Sequence, residues 1–397
     1  MSFSIPSAES WQDFSLSYVP AVDALKSGFL PYRDFFYPYP PLFLYALTVF
    51  SYLPLPSWSS ALPLVIGDAM TVVPLYLIAR ELGGERAALL ASLVFVASPL
   101  NLYYVDYLWL NPSLTTLFLM TSVYLLIKRL YGLSAAALAL SFGFKQTALI
   151  ALPVIVLVLG MKRSKAVALR YFAYSAAGCI LVSIPFIALS PANYLDSVFM
   201  VPSSLWVTQN LPSNYFSLAV GSGTPVSFNT SVWLTSKWQS IVGPINAPVS
   251  LALPVFIFFI PSSLAWRYSS DWVNLSYYVL LVSYALVLYR IRKNRGIEST
   301  DILMYLLFAF VVFFTIYPLY KYYVVGVVPL LALMVRNRRG IAGFAVLGFA
   351  FMIAPRYLGS WVLLGLLLWL LAGRTRWMLK GFGSRRQSSN DPPSRRS

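Results

Sequence analysis

Three carboxylates sit in parts of this chain that water would tolerate. Asp13 and Asp34 lie in the stretch DFSLSYVPAVDALKSGFLPYRDFFYPYPPL, and Asp106 lies in YYVDYLWLNPS. The chain has only 13 acidic residues, so acids gathered on two loops call for a chemical reason. A positioned carboxylate can take a proton from a hydroxyl nucleophile. Asp34 could instead partner Arg33 or cap a helix, and Asp13 could be an N-cap before FSLSYV. Asp23 reads as a solvated helix face. Asp68 falls inside an apolar run, where a carboxylate is costly and is paired or functional.

Four cations complement the acids. Arg33, Lys145, Lys321 and Arg356 each fall at a loop or helix end on the side of the bundle that should be poor in positive charge. Taken singly, each could snorkel toward lipid headgroups. Taken together on the acid-bearing side, they suit a phosphate at headgroup depth, since Arg offers a bidentate fork and Lys a point charge.

The elements that must position these residues are apolar helices. Hydrophobic residues make up 59% of the 397 and charged ones 11%, with a mean hydropathy of +0.71. A soluble domain carries about 25% charged residues. The reading is an all-α polytopic membrane protein. The basic residues behind the +16 net charge cluster at helix ends, as the positive-inside rule requires, so nucleic acid is not the expected partner. The chain has no histidine and a single cysteine, Cys179. That removes imidazole chemistry, disulfides and thiolate metal sites. The first loop has no D-x-D pair, so no metal and no cofactor are expected.

Apolar runs at 61–79 and 87–103 flank the charges Arg80, Glu81, Glu85 and Arg86, which belong inside. Residues 41–55 read as a helix lying at the outer interface. A run at 113–127 ends at Lys128 and Arg129. Residues 133–161 form a hairpin with Lys145 at its outer tip. Residues 166–190 cross outward into a large polar region, 191–248. Runs at 249–266 and 273–289 cannot both cross, because two crossings that start outside end outside, whereas Arg290, Arg292, Lys293 and Arg295 belong inside; one of the two is re-entrant or interfacial. Further runs cover 302–317, 323–335, 341–354 and 358–373. The organisation is therefore one membrane domain, 1–373, with a first outer loop and interfacial helix in 1–60. A basic cytoplasmic tail, 374–397, follows.

The order Asp13-x4-Tyr18, Gly28, Pro31-Tyr32-Arg33-Asp34 and Tyr39-Pro40-Pro41-Leu42 resembles the first extracytoplasmic loop of GT-C glycosyltransferases. Among these it is most similar to the polyprenyl-phosphate-mannose-dependent mannosyltransferases. The resemblance implies a bundle of about 10–12 transmembrane helices in the cell membrane. It implies transfer of a hexose, mannose by likeness, from a polyprenyl-phosphate sugar to a lipid-linked or protein acceptor on the extracytoplasmic face. Asp13 matches the catalytic base and Asp34 the second acidic position. Tyr32, Arg33, Asp106, Asn111, Lys145, Gln146, Lys321, Tyr322 and Arg356 would bind substrate. Asn111-Pro112 stands where the family often has Asp-Pro. The family also has a helix ahead of the acidic loop, and residues 1–12 are too short and polar to be one, so a start further upstream is expected. A transporter, or a non-catalytic subunit of glycan assembly, are the alternatives.

Overall fold

The computed structural model describes residues 14–35, 37–55, 57–199, 204–205, 228–229, 248–249, 269–293, 299–316, 319–335, 338–353 and 365. These are mostly helical. A π-helical turn, Phe14–Tyr18, leads into α1 (Val19–Lys26), and α2 (Pro41–Ser51) follows the first loop. A long helix, α3 (Leu62–Val96), leads through the short α4 (Pro99–Asn101) into a second π-helical turn, Leu102–Tyr107. Then come α5 (Ser113–Ile127), α6 (Tyr131–Phe144), α7 (Ala151–Lys162), α8 (Lys165–Leu189) and α9 (Pro191–Phe199). Beyond the polar region lie α10 (Ser269–Lys293), α11 (Ser299–Ile316), α12 (Val328–Ala332) and α13 (Arg338–Ile353). Among the described residues, four two-residue strands form two antiparallel pairs, one of which joins Pro248–Val249 to Leu319–Tyr320.

The expected apolar runs fall close to these helices. The run 113–127 coincides with α5, and the hairpin becomes α6 and α7 with its hinge at Lys145. The two runs before residue 104 are joined into α3, but Gly84 breaks the helix within it at φ 77° and ψ −176°. Only glycine adopts such a backbone without strain, so the charged turn falls where the charges placed it. The run 273–289 lies within α10. Residues 249–266 and 358–373, the tail 374–397 and almost all of 200–248 lie outside the described residues.

One end of the bundle gathers the charges expected inside. Lys128, just after α5, pairs with Glu81, Arg80 contacts Glu85 at 3.4 Å, and the Tyr76 hydroxyl donates to Glu85. The 15 residues of α5 bring the chain to this cluster from its far end at Ser113. At about 1.5 Å per residue that is roughly 22 Å.

Among the described residues, two helical stretches are long and apolar enough to cross a membrane, Trp58–Tyr107 and Lys165–Leu189, and shorter apolar helices accompany them. The second, α8, has its polarity reversed. Its buried side includes Tyr171, Ser175 and Ser183, whereas Leu169, Phe172, Ile180, Leu181 and Ile184 are exposed. The Tyr171 hydroxyl meets Ser134 at 3.2 Å and Ser122 at 3.4 Å, which ties α8 to α6 and α5. Hydroxyls inside and hydrocarbon outside suit a helix surrounded by lipid, where polar groups gain nothing by facing out. Close approach replaces apolar burial as the packing device. A Cβ on Gly178 of α8 would come within 2.6 Å of the Ala139 Cβ of α6. One on Gly143 would meet Leu42 at 2.4 Å, which lets α2 lie directly on α6 beside the hinge.

Candidate functional site

The first loop is built on aromatic rings. Tyr32 has a positive φ of 66°, which for a non-glycine residue costs about 1–3 kcal/mol. Three anchors hold it. Its hydroxyl donates to the Tyr39 carbonyl at 2.5 Å, its amide donates to the Phe35 carbonyl at 2.9 Å, and the Asn193 amide of α9 donates to the Tyr32 carbonyl at 3.0 Å. Its ring meets Tyr194 at 4.9 Å and Phe186 at 5.4 Å, edge to face. Tyr32 is completely buried by these contacts. Tyr32, which the resemblance gives as a substrate-binding residue, is held on all sides by these contacts and pegs the loop in place.

Arg33 and Asp34 clamp the same loop. Arg33 donates from Nε to Oδ1 at 2.8 Å and from a terminal nitrogen to Oδ2 at 2.6 Å, and the Leu30 amide also donates to Oδ2 at 2.8 Å. The Arg33 hydrogen bonds hold the Asp34 carboxyl below the usual carboxylate range, with the Leu30 amide assisting against partial burial. Here the plainer sequence reading, a partner for Arg33, is the contact seen.

From this frame the YPYPP run enters the bundle. Tyr18 packs on Phe43 at 4.9 Å and on Tyr39 at 5.8 Å, and the Tyr18 and Tyr39 hydroxyls lie 3.4 Å apart. Phe14, which follows Asp13 in the chain, packs its buried ring on Trp109 at 5.1 Å. The Asn111 amide donates to the Tyr18 hydroxyl at 3.4 Å. The first and second loops are thereby joined.

Lys145 is the hub. The chain leaves α6 in an extended conformation at Lys145, with φ −159° and ψ 129°, and re-enters a 3-10 turn at Gln146. The side chain is only 2% exposed, so the hairpin tip expected outside is covered by other elements. Its Nζ donates to the Asn111 carbonyl at 3.0 Å, lies 3.6 Å from the centre of the Tyr323 ring and 5.8 Å from that of Tyr39. Asn111 donates from Nδ2 to the Phe144 carbonyl at 3.3 Å, and Gln146 donates to the Pro38 carbonyl at 3.2 Å. First loop, second loop, hinge and late loop thus meet within one cluster.

The cluster has unused acceptor capacity. Among the described residues, Asn111 Oδ1, Gln146 Oε1, Ser113 Oγ and Thr115 Oγ1 are buried without a hydrogen-bond partner. Buried polar groups are nearly always satisfied, so the Asn111 and Gln146 oxygens beside Lys145 are acceptors that a ligand hydroxyl could use. The hub also lies at the N-terminal end of α5, whose N-cap residue Pro112 provides no side-chain cap. The partial positive charge of that helix end adds to the lysine.

A second polar group lies alongside. Asp68 of α3 accepts from Asn101 Nδ2 at 2.7 Å, both buried, and Asp106 is close enough for its charge to act on Asp68. The in-span acid therefore has a partner on the element that follows α3. Tyr323 and Asn101 were not singled out from sequence; Tyr323 was signalled only by its place after Lys321-Tyr322. The backbone of Lys321 and Tyr322 lies in the 3-10 segment Lys321–Val327. Asp13 and Arg356 lie outside the described residues.

The family model described as ALG3 protein matches residues 72–204. That is about a third of the chain. The matched segment takes in Asp106, Asn111, Lys145 and Gln146. It does not include the first loop, on which the sequence resemblance rested, or Lys321. No curated protein matches the chain.

Proposed function

We propose that this chain is an integral membrane glycosyltransferase of the GT-C type, with a bundle of about ten to twelve crossings. It moves mannose from a polyprenyl-phosphate donor to a lipid-linked or protein acceptor on the extracytoplasmic face. The observation that carries this reading is the Lys145 hub, a buried cation at the N-terminal end of α5 where four loops meet. The match to ALG3 protein takes in Lys145, Asn111 and Gln146 of that hub, and the ALG3 family comprises mannosyltransferases that use dolichol-phosphate mannose. The reversed polarity of α8 supports a membrane setting.

In this reaction the bond from the sugar carbon to the phosphate oxygen breaks as the acceptor hydroxyl attacks. Negative charge accumulates on the departing phosphate. A preorganised cation and helix end lower the barrier because they need not reorganise as that charge develops. Lys145 fills this role, with Lys321 and Arg356 as further phosphate partners. Asp13 is the base. Asp34 is the less suited of the two acids, because both of its oxygens are already held by Arg33 and Leu30. Asn111 and Gln146 orient sugar hydroxyls through their unpartnered oxygens.

The test is transfer of radiolabelled mannose from polyprenyl-phosphate mannose in membranes containing the full chain, beside Asp13→Asn, Asp34→Asn and Lys145→Met. Transfer by the parent, lost in Asp13→Asn and Lys145→Met and retained in Asp34→Asn, is the expected result. Loss in Asp34→Asn with retention in Asp13→Asn moves the base to the Arg33–Asp34 clamp.

A further inference from the structure

The π-helical turn Leu102–Tyr107 is not used by the Lys145 hub, yet it concentrates groups that recognise sugars. In a π-helix, residues five apart share a face. Asn101 caps the turn and Asp106 lies five residues on, so the two line one side of it. Asn101 gives its Nδ2 hydrogen to Asp68, which fixes the amide, and its buried Oδ1 is left without a partner among the described residues. A buried acceptor in that state is costly until a donor reaches it. Beside Asp106, Tyr107 is half-exposed, and its ring stacks on Tyr103 with centroids 5.8 Å apart and planes at 28°. Asp106 itself is partly exposed, at the rim.

We infer that this face is a carbohydrate subsite for the acceptor, separate from the phosphate-holding hub, with Tyr107 against the sugar ring and Asp106 and Asn101 accepting its hydroxyls. The inference rests on the glycosyltransferase reading above. Pyranose hydroxyls can donate, and the Asn101 Oδ1 and the Asp106 carboxylate are acceptors. The axial C–H bonds of a pyranose suit the negative face of a phenol ring. Asp68 is a positioning residue: by holding Nδ2 it turns Oδ1 away from itself.

Binding of α-linked mannobiose to the purified full chain in detergent, followed by calorimetry, tests this without needing turnover. The parent is expected to bind saturably, and Tyr107→Ala and Asp106→Asn to weaken binding at least tenfold with unchanged thermal melting. In the transfer assay the same variants should raise the KM for acceptor and leave that for donor unchanged. Equal affinity in parent and Tyr107→Ala overturns the proposal and leaves Tyr107 as an aromatic of the membrane interface. Binding that requires manganese or magnesium and vanishes with chelator also overturns it, in favour of a cation site. A parent that transfers mannose but neither binds mannobiose nor shows the KM effect sinks the subsite alone. Tyr107-dependent binding without transfer sinks the transferase reading and leaves the subsite standing.

Discussion

The Lys145 ammonium sits 3.6 Å from the centre of the Tyr323 ring. The two residues come from the middle of the chain and from its last third, so this contact closes the late loop onto the hinge. A desolvated cation–π contact is worth about 2 kcal/mol. Tyr323→Phe keeps the ring and should stay within about threefold of the parent in mannose transfer. Tyr323→Leu removes it and should lower transfer at least tenfold. Equal rates in the two variants would show that the ring plays no part.

Charge and packing at Lys145 separate in a single variant. Lys145→Met keeps the packing and removes the charge, so thermal melting should hold or rise, because a buried ion replaced by a well-packed apolar side chain is often neutral or stabilising. Transfer should fall by about a hundredfold, the effect of removing one preorganised electrostatic contact. A lower melting temperature with transfer intact would assign Lys145 a structural role instead.

Asp34 answers to pH in a defined direction. Its folded pKa is held below the model-peptide value of 3.8 by the Arg33 hydrogen bonds. A depressed carboxyl contributes stability above its unfolded pKa and loses it as pH falls through the folded pKa. The clamp is therefore complete at neutral pH and released only below about pH 4. Asp34→Asn at pH 7 should speed hydrogen exchange at the Leu30 amide, which loses its charged acceptor. The pH–rate profile between pH 5 and 8 should keep its acid limb in Asp34→Asn; loss of that limb would make Asp34 the titrating base.

The contact between α6 and α8 is set by Gly178 against Ala139. A methyl on Gly178 comes to 2.6 Å from the Ala139 Cβ, which sits on helix backbone and has no flexible end to yield. Gly178→Ala should destabilise by about 1–3 kcal/mol, the usual cost of overpacking. Adding Ala139→Gly should restore most of it, since the two residues touch and their effects couple. Thermal melting of the four proteins in the cycle checks this, and no recovery in the double variant would place the strain elsewhere.

Sequence alone reached the helices and their ends. Apolar runs bounded by Arg80–Arg86 and by Lys128–Arg129 mark α3 and α5 because a charge at the end of a hydrocarbon-length helix has few places to go. The hinge between α6 and α7 was legible for the same reason, since Lys145 and Gln146 interrupt an otherwise unbroken apolar stretch. The first loop's punctuation by proline, glycine and aromatics marked it as special.

What each polar residue does there was decided by tertiary contacts. Tyr32 and Asp34 carry the same residue types whether they bind substrate or hold a loop, and only their partners, Tyr39, Asn193, Arg33 and Leu30, distinguish the two. Lys145 reads as an exposed tip until loops from residues 39, 111 and 323 cover it. Asp68 is an unexplained acid in an apolar run until α4 brings Asn101 beneath it. Helix location follows from transfer of local segments between water and hydrocarbon, which depends on composition over about twenty residues. The pairing of side chains far apart in the chain depends on which helices touch, and that is fixed by close approach at places such as Gly143 and Gly178, where a single missing methyl decides the neighbour.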